Sequence, residues 1–216
     1  TILPFNSDAE VEKFLKVVPE HVRKLANQPL AVHVDENLMN NSFARWPSRF
    51  TLRGWLKYCA DIHSLPERED LRALSFYCSD DHVMGKDQSE KLLSLSETSD
   101  AALYADYVLR EKRSWADVLY DFESLSVSTS KLTIEALLAL LPAIRPRDFS
   151  IASAPSKDFA GENGFIIELC VAIVQGKTRF GRRYHGLCSE YLSRLIPEEG
   201  SDPPRVHVWI RPGSFA

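Results

Sequence analysis

Apolar residues recur at helical spacing over most of the first two thirds of the chain. Residues 1–7 have the pattern of a strand end followed by a helix cap at Ser7. Residues 8–18 then carry apolar side chains three and four positions apart, which predicts a helix there. A short apolar run predicts a strand over residues 30–34, and the polar stretch at 35–48 predicts a loop.

The stretch from residue 50 to residue 142 is predicted to be nearly all helical. Thr51 caps a helix that ends near Asp61, and Pro66 begins the next one. A serine-rich linker interrupts the helical pattern at residues 124–130. The predicted helices of this stretch span residues 51–61, 66–79, 88–95, 100–109, 114–122 and 132–141.

The pattern changes from helices to strands at Phe149. Predicted strands cover residues 149–153, 165–174 and 206–210, and a predicted helix over 189–195 separates the last two. The run at 165–174 is apolar and rich in β-branched residues, which is typical of a buried strand. A helical part and a strand-rich part in one chain indicate the α+β class.

Composition and charge narrow the class of protein. The chain has 216 residues, of which 44% are hydrophobic and 26% charged, with a formal net charge of −4. These values are ordinary for a globular protein of one large or two small domains. Nothing in them suggests a nucleic-acid or anionic-membrane partner, and we recognise no signal peptide and no long apolar span.

The four cysteines, Cys59, Cys78, Cys170 and Cys188, lie far apart in the sequence. They lack the spacing of a zinc or iron–sulfur site, so we predict no metal site. Cys59 and Cys170 lie in apolar runs and are predicted to be buried thiols. Unpaired thiols favour a reduced cytosolic compartment.

The first candidate site lies in the run from Arg145 to Pro155. Side chains alternate faces in an extended strand, so Arg147 and Phe149 share one face and Ser150 points to the other. A guanidinium beside an aromatic ring suits a ligand with a phosphate and a flat ring system. From these residues alone, a strand end with a surface arginine and a core phenylalanine fits equally well.

A second candidate site lies about thirty residues later. A polar loop over 175–185 contains Arg179, Arg182 and Arg183, and it leads into Gly186-Leu187-Cys188-Ser189 at the start of a predicted helix. The free amides at a helix start point towards a bound anion. The alternative interpretation is an ordinary capped helix with Ser189 near its start.

Together the two segments resemble motifs of the diflavin reductase family, the group typified by NADPH–cytochrome reductase. The matching runs are Arg147-Asp148-Phe149-Ser150, which Ile151-Ala152-Ser153 follows, and Gly186-Leu187-Cys188-Ser189. The runs at 144–147, 186–189 and 208–215 are most similar to the NADPH-dependent diflavin oxidoreductase branch that serves cytosolic iron–sulfur protein assembly. The resemblance is strong over residues 130–216, recognisable over 50–130 and weak over 20–48.

The resemblance implies an α+β fold, in which an antiparallel FAD-binding β-barrel carries an inserted all-helical connecting subdomain. Residues 1–49 are expected to form the first part of the barrel with a helix, residues 50–142 the connecting subdomain, and residues 143–216 the second part of the barrel. The early barrel strands of the family, its FMN-binding domain and its NADPH-binding domain have no counterpart in these residues. We therefore expect the chain to be a fragment with an incomplete barrel, inactive and weak in FAD binding on its own.

The resemblance also implies roles for individual residues. Arg147 is expected to bind the FAD pyrophosphate and Phe149 to lie against the isoalloxazine ring, with Asp148 inside the same cofactor-binding motif. Ser150 is expected to support hydride transfer near the reactive nitrogen of the flavin. The four residues expected to cradle the diphosphate are Gly186, Leu187, Cys188 and Ser189.

A further basic residue is expected to reach the pyrophosphate from the connecting subdomain. The family has an arginine at the position of Lys112, and lysine there neutralises a phosphate without forming two parallel bonds. A shift of one position gives the role to Arg113. A solvated basic pair on a helix is the alternative for both residues.

The implied function is electron transfer by a cytoplasmic flavoprotein. FAD accepts hydride from NADPH, and electrons pass to FMN and then to an iron–sulfur protein acceptor of the anamorsin type. The expected partners are the FMN-binding and NADPH-binding domains of the same polypeptide together with that acceptor, and neither nucleic acid nor membrane. The alternative is a non-catalytic helical interaction or scaffold fragment without bound flavin.

Overall fold

The structure, a computed structural model, describes residues 1–32, 46–153, 160–161, 164–197, 199–200 and 202–211. The chain divides into two compact units. We call the one formed by Phe5–Ile144 and Gly176–Tyr184 the helical unit. The other, formed by Thr1–Pro4, Arg145–Gln175 and His185–Ala216, contains both candidate motifs, and we call it the motif unit.

The helical unit contains helices, one short pair of strands and most of a hairpin. Strand β1 pairs antiparallel with strand β2, with Leu30 opposite Phe50. Its elements, in chain order up to the hairpin, are α1 (Asp8–Val17), α2 (Glu20–Arg23), β1 (Pro29–Ala31), β2 (Arg49–Thr51), α3 (Leu52–Tyr58), α4 (Arg68–Ser75), α5 (Gly85–Ser96), α6 (Ala101–Tyr104), a π-helix (Ala105–Arg110), α7 (Trp115–Asp121), a 3-10 helix (Glu123–Leu125) and α8 (Ile134–Leu140).

The helix starts follow the capping residues in the sequence. Ser7 accepts a hydrogen bond from the amide of Glu10 at 3.2 Å, and the Glu10 carboxylate accepts from the Ser7 amide at 2.6 Å. This reciprocal pair satisfies two amides that the first turn of α1 leaves without helical partners. Thr51 caps α3 in the simpler way, through the amide of Gly54 at 3.0 Å. Both predicted caps are confirmed.

Tryptophans anchor the core of the helical unit. Trp55 and Trp115 are fully buried, and Trp46 is 7% exposed. Trp46 and Trp55 pack edge to face with their ring centroids 5.2 Å apart, and the indole nitrogen of Trp46 donates to the carbonyl of Leu138 at 2.9 Å. Edge-to-face aromatic packing and a satisfied indole stabilise such a core. All three tryptophans therefore belong to the core of the helical unit.

The predicted serine-rich linker at 124–130 is part of this core. Ser124 and Leu125 are fully buried, and Ser130 is 6% exposed. Its amides and hydroxyls hydrogen-bond to neighbouring elements, for example from the Ser124 amide to the Gln88 side chain at 2.8 Å. Interpreting this run as a linker was wrong, because serine content does not report burial: several of these polar groups are hydrogen-bonded inside the unit.

The hairpin consists of β5 and β6, which pair with each other. In a β-strand, successive side chains point to opposite faces. Thr178 accepts a hydrogen bond at its carbonyl from the Gly181 amide at 3.0 Å, which closes the turn. In chain order, the hairpin strands are β5 (Gln175–Lys177) and β6 (Arg183–His185). The motif unit contributes the remaining elements, which are β3 (Ala160–Gly161), β4 (Gly164–Phe165) and α9 (Leu187–Ser193).

The motif unit has few regular strands among its described residues. Strands β3 and β4 pair antiparallel, and isolated antiparallel bridges join Ile2 to Arg147, Ile2 to Val208 and Ile151 to Leu169. The predicted strands at 149–153 and 206–210 are reduced to single bridging residues. The described residues thus give helices and small antiparallel sheets, and a closed barrel is not found among them.

The prediction of a buried strand at 165–174 is wrong, because most of this segment is neither a strand nor buried. Only Phe165 and its neighbour Gly164 are in a strand, and Ile166, Ile173 and Val174 are each more than half exposed. Cys170 is exposed rather than buried, while Cys59 is half-buried. An apolar run predicts burial only where strands distant in sequence pack on it, and those described here cover little of it.

Some predictions fall outside the described residues. These are the end of the strand at 33–34, most of the loop at 35–48 and the end of the motif at 212–215. Among the helices that the structure does describe, none is both long enough and apolar enough to cross a membrane.

Candidate functional site

Arg147 lies on an exposed segment that is fixed through its backbone. Its amide and carbonyl exchange hydrogen bonds of 2.8 Å with the carbonyl and amide of Ile2. The guanidinium donates from Nη1 to the carbonyl of Arg145 at 3.2 Å. No carboxylate of the described residues pairs with it. The remaining donors of this fork are therefore available to an anion.

Asp148 is engaged with the start of the chain. Its carboxylate accepts a hydrogen bond from the hydroxyl of Thr1. This bond, helped by the charge of Arg211, lowers the pKa of Asp148 below its ordinary value, so the fully exposed group is charged at neutral pH. A carboxylate repels a diphosphate, so a role of Asp148 in cofactor binding would be to hold its segment in place.

Phe149 and Ser150 differ in exposure. Phe149 is half-buried, whereas Ser150 is exposed, and its hydroxyl has no hydrogen-bond partner among the described residues. The ring of Phe149 therefore keeps part of its surface accessible for stacking. Its neighbour offers a free donor and acceptor.

The second motif holds the start of α9 against Val174. The Gly186 amide donates to the Val174 carbonyl at 2.7 Å, and Ser189 Oγ accepts from the Val174 amide at 3.0 Å. Ser189 Oγ also donates to the Gly186 carbonyl at 3.1 Å. A Cβ on Gly186 would lie 3.0 Å from the Val174 Cβ, so this close approach favours glycine.

These contacts change the role expected for the second motif. The hydroxyl of Ser189 and the amide of Gly186 are already committed to the backbone of Val174 or to the helix start. The amides of Leu187, Cys188 and Ser189 lie in the first helical turn, where no helical carbonyl precedes them. Val174 could not be identified from the sequence, because only its backbone takes part in these contacts.

Cys188 connects the two motifs electrostatically. The thiol is buried at 7% exposure, and this burial raises its pKa above the ordinary value. The positive charge of Arg147 acts on the same thiol in the opposite direction. With its pKa raised, the buried Cys188 is a neutral thiol at neutral pH.

Lys112 and Arg113 belong to the helical unit and have different surroundings. Arg113 donates to Asp121 at 2.7 Å and to the Tyr107 carbonyl at 2.9 Å, and its guanidinium lies 4.2 Å from the centroid of the Tyr107 ring. Lys112 is exposed, and no hydrogen bond or ion pair to it comes from the described residues. It follows the π-helix with a φ of 49°, a left-handed conformation that is costly for lysine. Of the two, Lys112 is the residue available to a ligand.

Residues 1–191 match the family described as FAD binding domain. The chain belongs to the FAD-binding domain family. The exposed arginine fork of its first motif is in keeping with the phosphates of that cofactor.

Relatives at moderate identity share most of this FAD-binding domain. It is 36% identical over 208 residues to a protein of Eremothecium gossypii named NADPH-dependent diflavin oxidoreductase 1, an alignment covering 93% of the chain and 31% of that protein. It is 32% identical over 221 residues to the mouse protein of that name, covering 99% of the chain and 33% of the relative. The Saccharomyces cerevisiae protein of the same name is 34% identical over 203 residues, an alignment that covers 90% of the chain and 30% of that protein. The chain thus spans about a third of the length of the curated relatives it matches.

Proposed function

We propose that this chain is the FAD-binding module of an NADPH-dependent diflavin reductase. The exposed guanidinium of Arg147 carries the proposal, because it pairs with no carboxylate of the described residues and its free donors suit the phosphates of FAD. The family match over residues 1–191 and the names of the relatives support the same assignment.

The residues of the motif unit fit the diphosphate of FAD. Arg147 would supply a charged fork, and the first-turn amides of Leu187, Cys188 and Ser189 would supply neutral donors. The contacts of Gly186 and Ser189 with Val174 would keep those amides oriented. Phe149 would lie against the flavin ring, and Ser150 would offer its hydroxyl to the polar edge of that ring.

Lys112 would add positive charge from the helical unit. Its amine is exposed and unpaired among the described residues, so it can turn towards a phosphate without breaking another contact. We propose the division into residues 1–49, 50–142 and 143–216 for the intact barrel and its connecting subdomain. The compact units set the boundaries differently, since the hairpin residues Gly176–Tyr184 group with the helices.

The chemistry belongs to the cofactor and the protein positions it. When bound, FAD supplies the change from two-electron chemistry with NADPH to one-electron chemistry with FMN. We propose an iron–sulfur protein of the anamorsin type as the final acceptor and the cytoplasm as the compartment. The FMN-binding and NADPH-binding domains would be parts of the polypeptide that carries this chain.

A scaffold without flavin is the second candidate function. The exposure of Ile166, Ile173 and Val174 favours it, because a complete flavin barrel would be expected to bury such residues. Bound flavin separates the two candidates. We expect the intact polypeptide to purify yellow, with FAD released on denaturation and with NADPH-dependent reduction of ferricyanide. A colourless protein that also takes up no added FAD would contradict the reductase and leave the scaffold.

A further inference from the structure

The hairpin of β5 and β6 is fixed to acidic residues of the helical unit through Thr178 and Arg182, the two residues that close its turn. Arg182 forms a salt bridge with Asp117 at 2.5 Å, and the Thr178 hydroxyl donates to the carboxylate of Glu111 at 2.7 Å. Glu111 is only 3% exposed, so this second contact lies inside the unit. Partly buried polar contacts of this kind restrain the hairpin more than exposed ones would.

The tip of the turn, at residues 179–181, is exposed. Gly181 adopts a left-handed φ of 80°, and a Cβ built on it would meet no atom within 4 Å. The amides of Gly181 and Arg182 are satisfied by the carbonyl and hydroxyl of Thr178, at 3.0 and 3.1 Å. The turn is therefore closed by its own hydrogen bonds and open to solvent around them.

The outer face of the hairpin carries unpaired cations and an exposed aromatic ring. Residues 176–184 contain four basic residues and no acidic one. Three of the four, Lys177, Arg179 and Arg183, are exposed and form no ion pair with the described residues. Phe180 is 78% exposed, and the guanidinium of Arg179 lies 5.9 Å from its ring centroid. We call Lys177, Arg179, Phe180 and Arg183 the basic tip.

We propose that the basic tip is a docking site for an acidic segment of a partner protein. Carboxylates of the partner would pair with the three cations, and an apolar side chain beside them would pack on Phe180. An arginine next to an exposed aromatic ring is the combination that anchors protein interfaces. The proposal does not depend on FAD binding.

Charge favours a short acidic segment over a long polyanion. The chain as a whole has a net charge of −4, so a nucleic acid or an anionic membrane would be repelled beyond the tip. The acidic residues Glu111 and Asp117, which contact the turn at Thr178 and Arg182, add to that repulsion. A few carboxylates in a row match the three cations in number.

Fluorescence anisotropy of a labelled peptide in which glutamates flank leucines tests this proposal on the 216-residue chain. We expect binding that weakens as salt rises. Reversing two charges in Lys177→Glu/Arg179→Glu should weaken it about tenfold or more. Phe180→Ser should weaken it about threefold to tenfold without changing net charge.

The double variant Lys13→Glu/Lys91→Glu is the matched control. Both lysines are exposed on helices of the same unit, and their reversal changes net charge by the same amount. Affinity close to that of the unchanged chain in this control supports a local site. Equal weakening in both double variants, no peptide binding, or tighter binding of a labelled oligothymidylate or of phosphatidylserine vesicles would overturn the proposal. The three variants alter exposed side chains, and matching thermal unfolding curves verify that each one folds.

Discussion

The hydroxyl of Ser189 accepts a hydrogen bond from the backbone amide of Val174 at 3.0 Å. The same hydroxyl donates to the Gly186 carbonyl, so one side chain joins the start of α9 to the segment before the hairpin. The motif was expected to contact phosphate directly, but its Ser189 side chain instead positions the start of α9. The functional consequence is that its ligand contacts would come from backbone amides.

Ser189→Ala should weaken the contact between Val174 and the start of α9 without creating a large cavity in the core. The Val174 amide loses its partner, and a part-buried unpaired amide costs about 1 kcal/mol. We expect hydrogen exchange of that amide to become about fivefold faster through local opening. Ser193→Ala, which removes an ordinary hydroxyl bond to the Glu190 carbonyl in the same helix, should leave it unchanged. Equal effects of the two variants would remove Ser189 from its positioning role.

The salt bridge between Arg182 and Asp117 should make the stability of the helical unit depend on acid. Burial alone would raise the pKa of Asp117, but hydrogen bonds from Arg182 and Ser114 outweigh it and hold the pKa below the ordinary 3.8. A lowered folded pKa means that the stabilisation is present above 3.8 and is lost as pH falls further. Because both side chains are about one-third exposed, we expect about 0.5–1 kcal/mol.

Arg182→Gln tests that linkage by acid unfolding. It should lower stability at neutral pH and reduce the loss of stability on acidification, because Asp117 then lacks its strongest partner. Arg183→Gln removes an exposed neighbouring charge from the same hairpin and serves as the control. An acid titration of Arg182→Gln that parallels the control would show that the salt bridge adds nothing.

Glu10 should contribute to stability through two partners at once. Its carboxylate accepts from the Ser7 amide at 2.6 Å and lies 3.0 Å from His63 Nε2. Burial alone would raise the pKa of Glu10, but these partners hold it well below 4.5, so its stabilisation is present above that pH and lost below it. Glu10→Gln should lower the free energy of unfolding at neutral pH by about 1–2 kcal/mol.

Urea unfolding at pH values on both sides of the ordinary glutamate pKa measures this contribution. The difference between the unchanged chain and Glu10→Gln should shrink in acid. Glu90→Gln on α5 is the control, because Glu90 is exposed and its Lys86 partner is 3.9 Å away. A pH-independent difference for Glu10→Gln would show that packing rather than charge is responsible.

Lys112→Gly should have opposite effects on stability and on FAD binding. Glycine adopts the φ of 49° at no steric cost, so the free energy of unfolding should rise by about 0.5–1 kcal/mol. Loss of the ammonium should weaken FAD binding in the intact polypeptide. Lys112→Gln separates the two effects, because glutamine removes the charge but does not favour the left-handed conformation as glycine does. FAD affinity unchanged in both variants would exclude Lys112 from the flavin site.

Local signals in the sequence were sufficient for the helices and insufficient for the strands. Ser7, Thr51 and Ser114 cap helices through side-chain bonds three residues away, and such contacts are readable from sequence. The burial of a strand depends instead on partners distant in the chain, and the apolar run at 165–174 is largely exposed.

The candidate site shows the same division. Arg147 and Gly186 were identified from motifs whose residues are neighbours in sequence. The hairpin contact between Thr178 and Glu111 joins residues 67 positions apart, and no periodicity reports it. The contribution of Val174 cannot be predicted from the sequence for a different reason, because any residue other than proline supplies the same backbone amide and carbonyl.

The central claim is that the first motif binds the pyrophosphate of FAD through Arg147. FAD titration of the deflavinated intact polypeptide, followed by flavin fluorescence, tests it most directly. Arg147→Ala should weaken FAD binding by about 1.5–3 kcal/mol, the cost of losing charge-assisted hydrogen bonds, which is roughly tenfold to more than a hundredfold in the dissociation constant. Arg145→Ala is the matched control, since that exposed arginine lies two residues away on the same segment and should have little effect. Unchanged FAD affinity in Arg147→Ala, or equal losses in the two variants, would contradict the proposed flavin site.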